Sequence, residues 1–110
     1  MKVTTYLAAT AFALGIGSAW AQSPDVAGAE GLLKKSGCMK CHSVSADKDG
    51  PSFKKTAAKY KGKADAEATL YKHLTTGPMV KVDGKEERHE IIKSKDDREI
   101  KNAIAYILSR

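Results

Sequence analysis

One pentapeptide constrains this chain more than any other feature: Cys38-Met39-Lys40-Cys41-His42. It spells C-x-x-C-H, the spacing by which a c-type haem is attached to a polypeptide. Two thiols three residues apart on one helical turn can each bond one vinyl group of the same porphyrin. The histidine directly after the second cysteine is then placed to bring an imidazole nitrogen to the iron, and proximal histidine ligation is common among haem proteins. The competing readings of the two cysteines fare worse. A thioredoxin-like pair belongs in a βαβ setting, and no strand–helix–strand pattern is present. Structural zinc takes four ligands, usually as two spaced pairs, but Cys38 and Cys41 are the whole complement of cysteines. A disulfide at this spacing would be strained. The rest of the chain reads as packing around the porphyrin.

Residues 1–21 read as an export signal. Lys2 supplies the positive start, Tyr6 to Ile16 is apolar, and Ala19-Trp20-Ala21 is an A-x-A cleavage site. The apolar run is too short for a transmembrane anchor and lacks a basic stop-transfer flank. Export to the periplasm with cleavage after about Ala21 follows, and no transmembrane span remains in the mature form. Loss of 21 of the 110 residues leaves one domain, 22–110, and takes the formal charge from +6 to +5 with the departure of Lys2. A domain this small needs help beyond its apolar core. A buried porphyrin provides it. Both cysteines are used by the haem, so none is left to pair or react.

The organisation expected for 22–110 is all-α. Ser23 is a candidate N-cap with Pro24 at the first helical position. Val26, Ala29, Leu32 and Leu33 then recur at helical spacing up to Gly37. Gly28 and Gly31 inside this helix predict a close approach of another helix. Residues 43–52 are loop, with a turn signal at Gly50-Pro51. Phe53 to Tyr60 predicts a short helix, and about Asp65 to Thr75 a longer one, with His73 near its end, where a histidine suits the helix dipole. Val80 to Val82, the tight-turn pair Asp83-Gly84 and Lys85 to Arg88 predict a small β-hairpin. Ser94, with Asp97 three residues on, opens the last helix in the manner of a capping box. Its stripe Ile100, Ala103, Ile104, Ile107 and Leu108 is the clearest helical pattern in the chain. Asp97 and Lys101 are spaced for an ion pair.

These features resemble the small class I cytochromes c of bacteria. The resemblance spans the whole of 22–110: a helix leading into Ser36-Gly37 and the haem motif, Gly50-Pro51 after it, Phe53 to Tyr60, and the amphipathic C-terminal helix. It implies a cytochrome c fold, three to four helices around one haem c bonded through Cys38 and Cys41. It also implies that the first and last helices cross beside the haem, at Gly28 or Gly31. Pro51 matches the family proline whose carbonyl accepts from the proximal histidine. His73 falls near a position that can reach a haem propionate, and Tyr106 where the family places an aromatic.

The sixth iron ligand is where the chain departs from the family, whose short members carry a methionine before the last helix. Met79 is 37 residues past His42, which is early. His89 is 47 residues past it and 21 from Arg110, close to the family register. His89 is the preferred ligand by register, with His42 opposite; Met79 has the expected donor type. A methionine raises the potential of the iron, whereas two histidines leave it lower.

The implied function is periplasmic one-electron transfer, with no catalytic residues. The lysine surplus fits redox partners with acidic docking surfaces, through contacts that are fast, weak and salt-sensitive. Export argues against nucleic acid. Two alternatives stay open. One is a haem enzyme or small-ligand binder with a labile sixth site. The other is a haem subunit held by a periplasmic dehydrogenase, so that the chain is a monomer or part of a redox complex.

Overall fold

The computed structural model describes residues 23–110, and the expected export signal and its cleavage site lie outside them. Helix α1, Val26–Lys35, begins at Asp25, whose carboxylate Oδ1 accepts from the Gly28 amide at 3.1 Å. Asp25 therefore takes the capping place expected of Ser23. A tertiary contact explains the choice. The Asn102 side chain accepts from the Asp25 amide at 2.8 Å and donates to its carbonyl at 2.9 Å, pinning the helix start to the last helix. Gly37, at φ 78°, then reverses the chain after α1. The left-handed region is open to glycine at little cost.

Cys38–Lys40 is a single 3-10 turn, followed by α2 at Phe53–Tyr60 and α3 at Ala66–Thr76. Ser52 caps α2 by accepting from the Lys55 amide at 3.1 Å. Gly77, in the left-handed region at φ 59°, closes α3. The predicted hairpin is present. Strand β1, Met79–Val82, pairs antiparallel with β2, Lys85–Arg88, with Met79 opposite Arg88 and Val82 opposite Lys85. Asp83 and Gly84 both have positive φ, 50° and 77°, as a two-residue hairpin turn with the twist of its strands requires.

The final helix, α4, spans Asp97–Leu108. Its cap is Asp96, which accepts from the Arg98 amide at 2.9 Å. Ser94, expected to cap this helix, instead donates to Glu99 at 2.6 Å. The Asp97–Lys101 pair forms at 3.6 Å on the exposed face, where such a contact contributes little.

Helix α4 is the centre of the packing and touches α1, α2 and α3. Its stripe of Ile100, Ala103, Ile104 and Ile107 is buried with Leu33 of α1, Phe53 of α2 and Leu70 and Leu74 of α3. Each such aliphatic side chain contributes about 1.5–3 kcal/mol when fully buried. The close approach of α1 and α4 does not use the glycines. A Cβ on Gly31 would meet nothing within 4 Å, and one on Gly28 would meet only the Asp25 carboxylate that caps the helix. The small residues with no exposure on these two helices are Ala29 and Ala103.

Candidate functional site

A cavity of about 680 Å³ opens between α2, α3, the hairpin and the 3-10 turn. That is within the range of roughly 300–1,000 Å³ typical of sites for organic ligands. Its floor is apolar, with Leu33, Phe53, Leu70, Leu74, Val80 and Ile107. Its wall carries Cys38, Cys41, His42, Pro51 and His89, so the five residues singled out by the sequence share one cavity. Met79 is absent from that wall and is 55% exposed at the start of β1.

The two cysteines are half-buried and unpaired. Burial pushes the Cys38 thiol up, and the nearby Glu90 and Cys41 add to the effect. Cys38 is thus held in its protonated form.

His42 follows the 3-10 turn, and its amide donates to the Cys38 carbonyl at 2.9 Å. Its Nδ1 lies 2.6 Å from the Pro51 carbonyl oxygen. A carbonyl only accepts, so Nδ1 carries the proton and Nε2 is the basic nitrogen. Phe53 stacks on the ring at 5.7 Å. Gly50 fits against its other edge: a Cβ there would lie 2.5–3.1 Å from the His42 ring atoms. The loop is braced by Asp47, which accepts from the Ser52 amide at 2.8 Å and from Lys55 at 3.1 Å.

His89 directly follows β2. Its amide donates to the Pro78 carbonyl at 2.9 Å, which closes the open end of the hairpin. Its ring Nδ1 is 2.8 Å from the Glu90 carbonyl oxygen, so here too Nε2 is the basic nitrogen. Gly77 has no side chain because a Cβ would come within 2.7 Å of the His89 carbonyl oxygen and 2.9 Å of Ile91. The His42 and His89 ring centroids are 6.1 Å apart, with planes inclined at 49°.

Sequence reasoning gave His73 only a helix-end role and a remote one by resemblance. The structure adds a contact: its ring centroid is 4.3 Å from that of His89, edge to face, and it lines the same cavity. Burial, then the charges of His89, His42 and Lys59, hold the His73 imidazole below its ordinary value and so in the neutral form. Gly50 was read as a turn residue and, with Pro51, as part of the family resemblance, and not as the residue whose missing side chain gives the His42 ring its clearance. The lining also carries the charged residues Lys55, Lys59, Lys81, Arg88, Asp49, Glu87 and Glu90.

The arrangement offers two thiols on one turn and two tethered imidazoles facing one apolar space. It can hold a metal-centred planar group, with the sulfurs at one edge and nitrogen donors on its two faces.

Comparison with known proteins agrees with this chemistry. The family model described as cytochrome c matches residues 26–110. Cytochrome c-551 of Pseudomonas aeruginosa is 41% identical over 59 residues, covering 54% of this chain and 52% of that protein. Cytochrome c-551 of Allochromatium vinosum is 48% identical over 46 residues, covering 42% and 49% respectively. The chain thus spans about half the length of these curated relatives. Among solved structures, the class 1 cytochrome MtoD of Sideroxydans lithotrophicus ES-1 is 50% identical with a TM-score of 0.75, over 78% of this chain and 96% of that one. Cytochrome c552 of Nitrosomonas europaea is 28% identical with a TM-score of 0.56, over 73% and 96%. With its helices, hairpin and C-x-x-C-H turn in this arrangement, the chain belongs to the cytochrome c family.

Proposed function

We propose that this chain is a periplasmic one-electron carrier holding one haem c, bonded through Cys38 and Cys41, with His42 and His89 on the two faces of the iron. When bound, the haem supplies a reversible one-electron change at iron. The chain's own residues do the rest.

The observation that carries this reading is the His42–His89 pair across the apolar cavity. The two ring centroids stand 6.1 Å apart, a separation that would leave room for a metal ion between one nitrogen of each. Each ring is also tethered at Nδ1 by a backbone carbonyl, Pro51 for His42 and Glu90 for His89. Such tethers fix the tautomer and the ring orientation, and raise the basicity of the nitrogen that meets the metal. The exposed position of Met79 supports His89 over it.

Imidazoles on both faces would leave no position for a substrate, which supports a carrier rather than an enzyme. The names of the relatives, cytochromes c-551, support the same reading. Two histidine donors set the potential below that of a methionine-ligated haem. The net charge of +6 suits an acidic partner, with association that weakens as salt rises. Among the described residues, no helix is long and apolar enough to cross a membrane. Residues 1–21 act as the export signal and 22–110 as the haem domain.

The test is the protein purified from the periplasm. It is expected to be red, to keep its haem after denaturation and acid–acetone extraction, to be reduced and reoxidised reversibly, and to leave its ferrous spectrum unchanged under carbon monoxide. A colourless product with both thiols open to a labelling reagent would overturn the haem. A ferrous form that takes up carbon monoxide would overturn the carrier.

A further inference from the structure

The sequence contains three histidines, and all three line one cavity. The reading above uses two. The third, His73, stands in the last turn of α3 with its ring 4.3 Å from that of His89, the planes at 63°. It differs from the others in one respect. His42 and His89 are each tethered through Nδ1. The His73 ring makes no hydrogen bond to another described residue, and it is only half-buried. Its ring is therefore positioned by packing against its neighbours and not by a tether.

The elements that carry the two rings also differ. His89 hangs from the end of the hairpin, whose second strand is exposed along all four residues. His73 is carried by α3, which is fixed to the core through Leu70 and Leu74 and packs on α4. The occupied donor is therefore on the peripheral element, and a spare imidazole waits beside it on the anchored one. Within the cavity, the space next to His73 is the His89 ring itself.

We propose that His73 is a latent donor for the sixth coordination position: where His89 is withdrawn, an imidazole nitrogen of His73 takes its place. This rests on the reading of His89 as the sixth ligand. The exchange breaks one metal–nitrogen bond and forms another between neutral imidazoles. No electron is transferred and the charge at the iron is unchanged. Movement of the hairpin thus leaves the iron with two imidazoles and closed to small ligands.

The test compares His89→Ala, His73→Ala and the double variant as haem-loaded proteins, by visible and electron paramagnetic resonance spectra and by exposure of the ferrous forms to carbon monoxide. The expected result is that each single variant stays low-spin and ignores carbon monoxide. The double variant becomes high-spin and binds it. A high-spin, carbon monoxide-binding His89→Ala protein overturns the latent donor and leaves His89 as the sixth ligand. A double variant that stays low-spin overturns both. Far-UV circular dichroism establishes that each variant is folded, and His89→Ser replaces His89→Ala if the alanine protein does not accumulate.

Discussion

The Nδ1 of His42 and the carbonyl oxygen of Pro51 are 2.6 Å apart, across a loop that returns to the cavity nine residues later. The contact exists because Gly50 lets the loop pass against the imidazole; a Cβ at that position would overlap the ring. The proline supplies only its carbonyl, and the glycine before it supplies the clearance.

Substitution of Gly50 by Ala is therefore expected to displace either the loop or the His42 ring. An overpacked contact of this kind costs about 1–3 kcal/mol. Urea denaturation of the purified variant measures it. The cost should be accompanied by a changed absorption spectrum, because the strained partner is His42 itself.

Asp47 ties the same loop through the Ser52 amide and Lys55, and these contacts hold its carboxyl below its ordinary value. A carboxyl lowered in the folded state adds stability above its unfolded value, near pH 3.9. That stability is lost as pH falls through the lower folded value. Asp47→Asn is expected to melt at a lower temperature than the parent at neutral pH. The two proteins should converge as the medium is acidified through the lowered folded value. Thermal melts across the pH range check this, and a constant gap down to the lowest pH would count against it.

Met79 is expected to be a bystander to the iron. Met79→Leu should leave the visible spectrum and the reduction potential unchanged, because the side chain stands outside the cavity and is mostly exposed. A far-red charge-transfer band in the ferric parent that vanishes in the variant would instead mark the sulfur as a ligand.

Ile104 has no exposure and lies at the meeting of α4 with the other helices. Ile104→Ala is expected to cost about 2–5 kcal/mol by deletion of buried methyl groups and the cavity they leave. The midpoint of urea unfolding should fall accordingly, with the reduction potential moving less than it does on substitution of a residue touching His42.

Most of the architecture was legible in the sequence, for local reasons. The stripe from Ile100 to Leu108, the short helix at Phe53 and the Asp83-Gly84 turn each follow from periodicity or from backbone needs within a few residues. The helix starts were not. Asp25 displaces Ser23 because Asn102, 77 positions away, holds its backbone. Ser94 is diverted by Glu99, which leaves Asp96 as the cap. Gly28 and Gly31 were read as a crossing point because helical spacing identifies a face and not the neighbour it meets. The residues lining the cavity with His42 were legible from one short motif and from register. The approach of His73 to His89 was not, since it depends on where the hairpin returns beside α3.

That return has a consequence for how the chain tolerates change. The Pro78–His89 backbone bond closes the hairpin at its base, while Asp83 and Gly84 lie at the opposite tip. Residues exchanged or inserted in pairs near the tip keep the strand alternation, whereas a single insertion within β2 turns every later side chain to the other face. The tip is thus a site for grafting foreign peptide, whereas one extra residue within β2 would bring Arg88 to the place where His89 now lines the cavity.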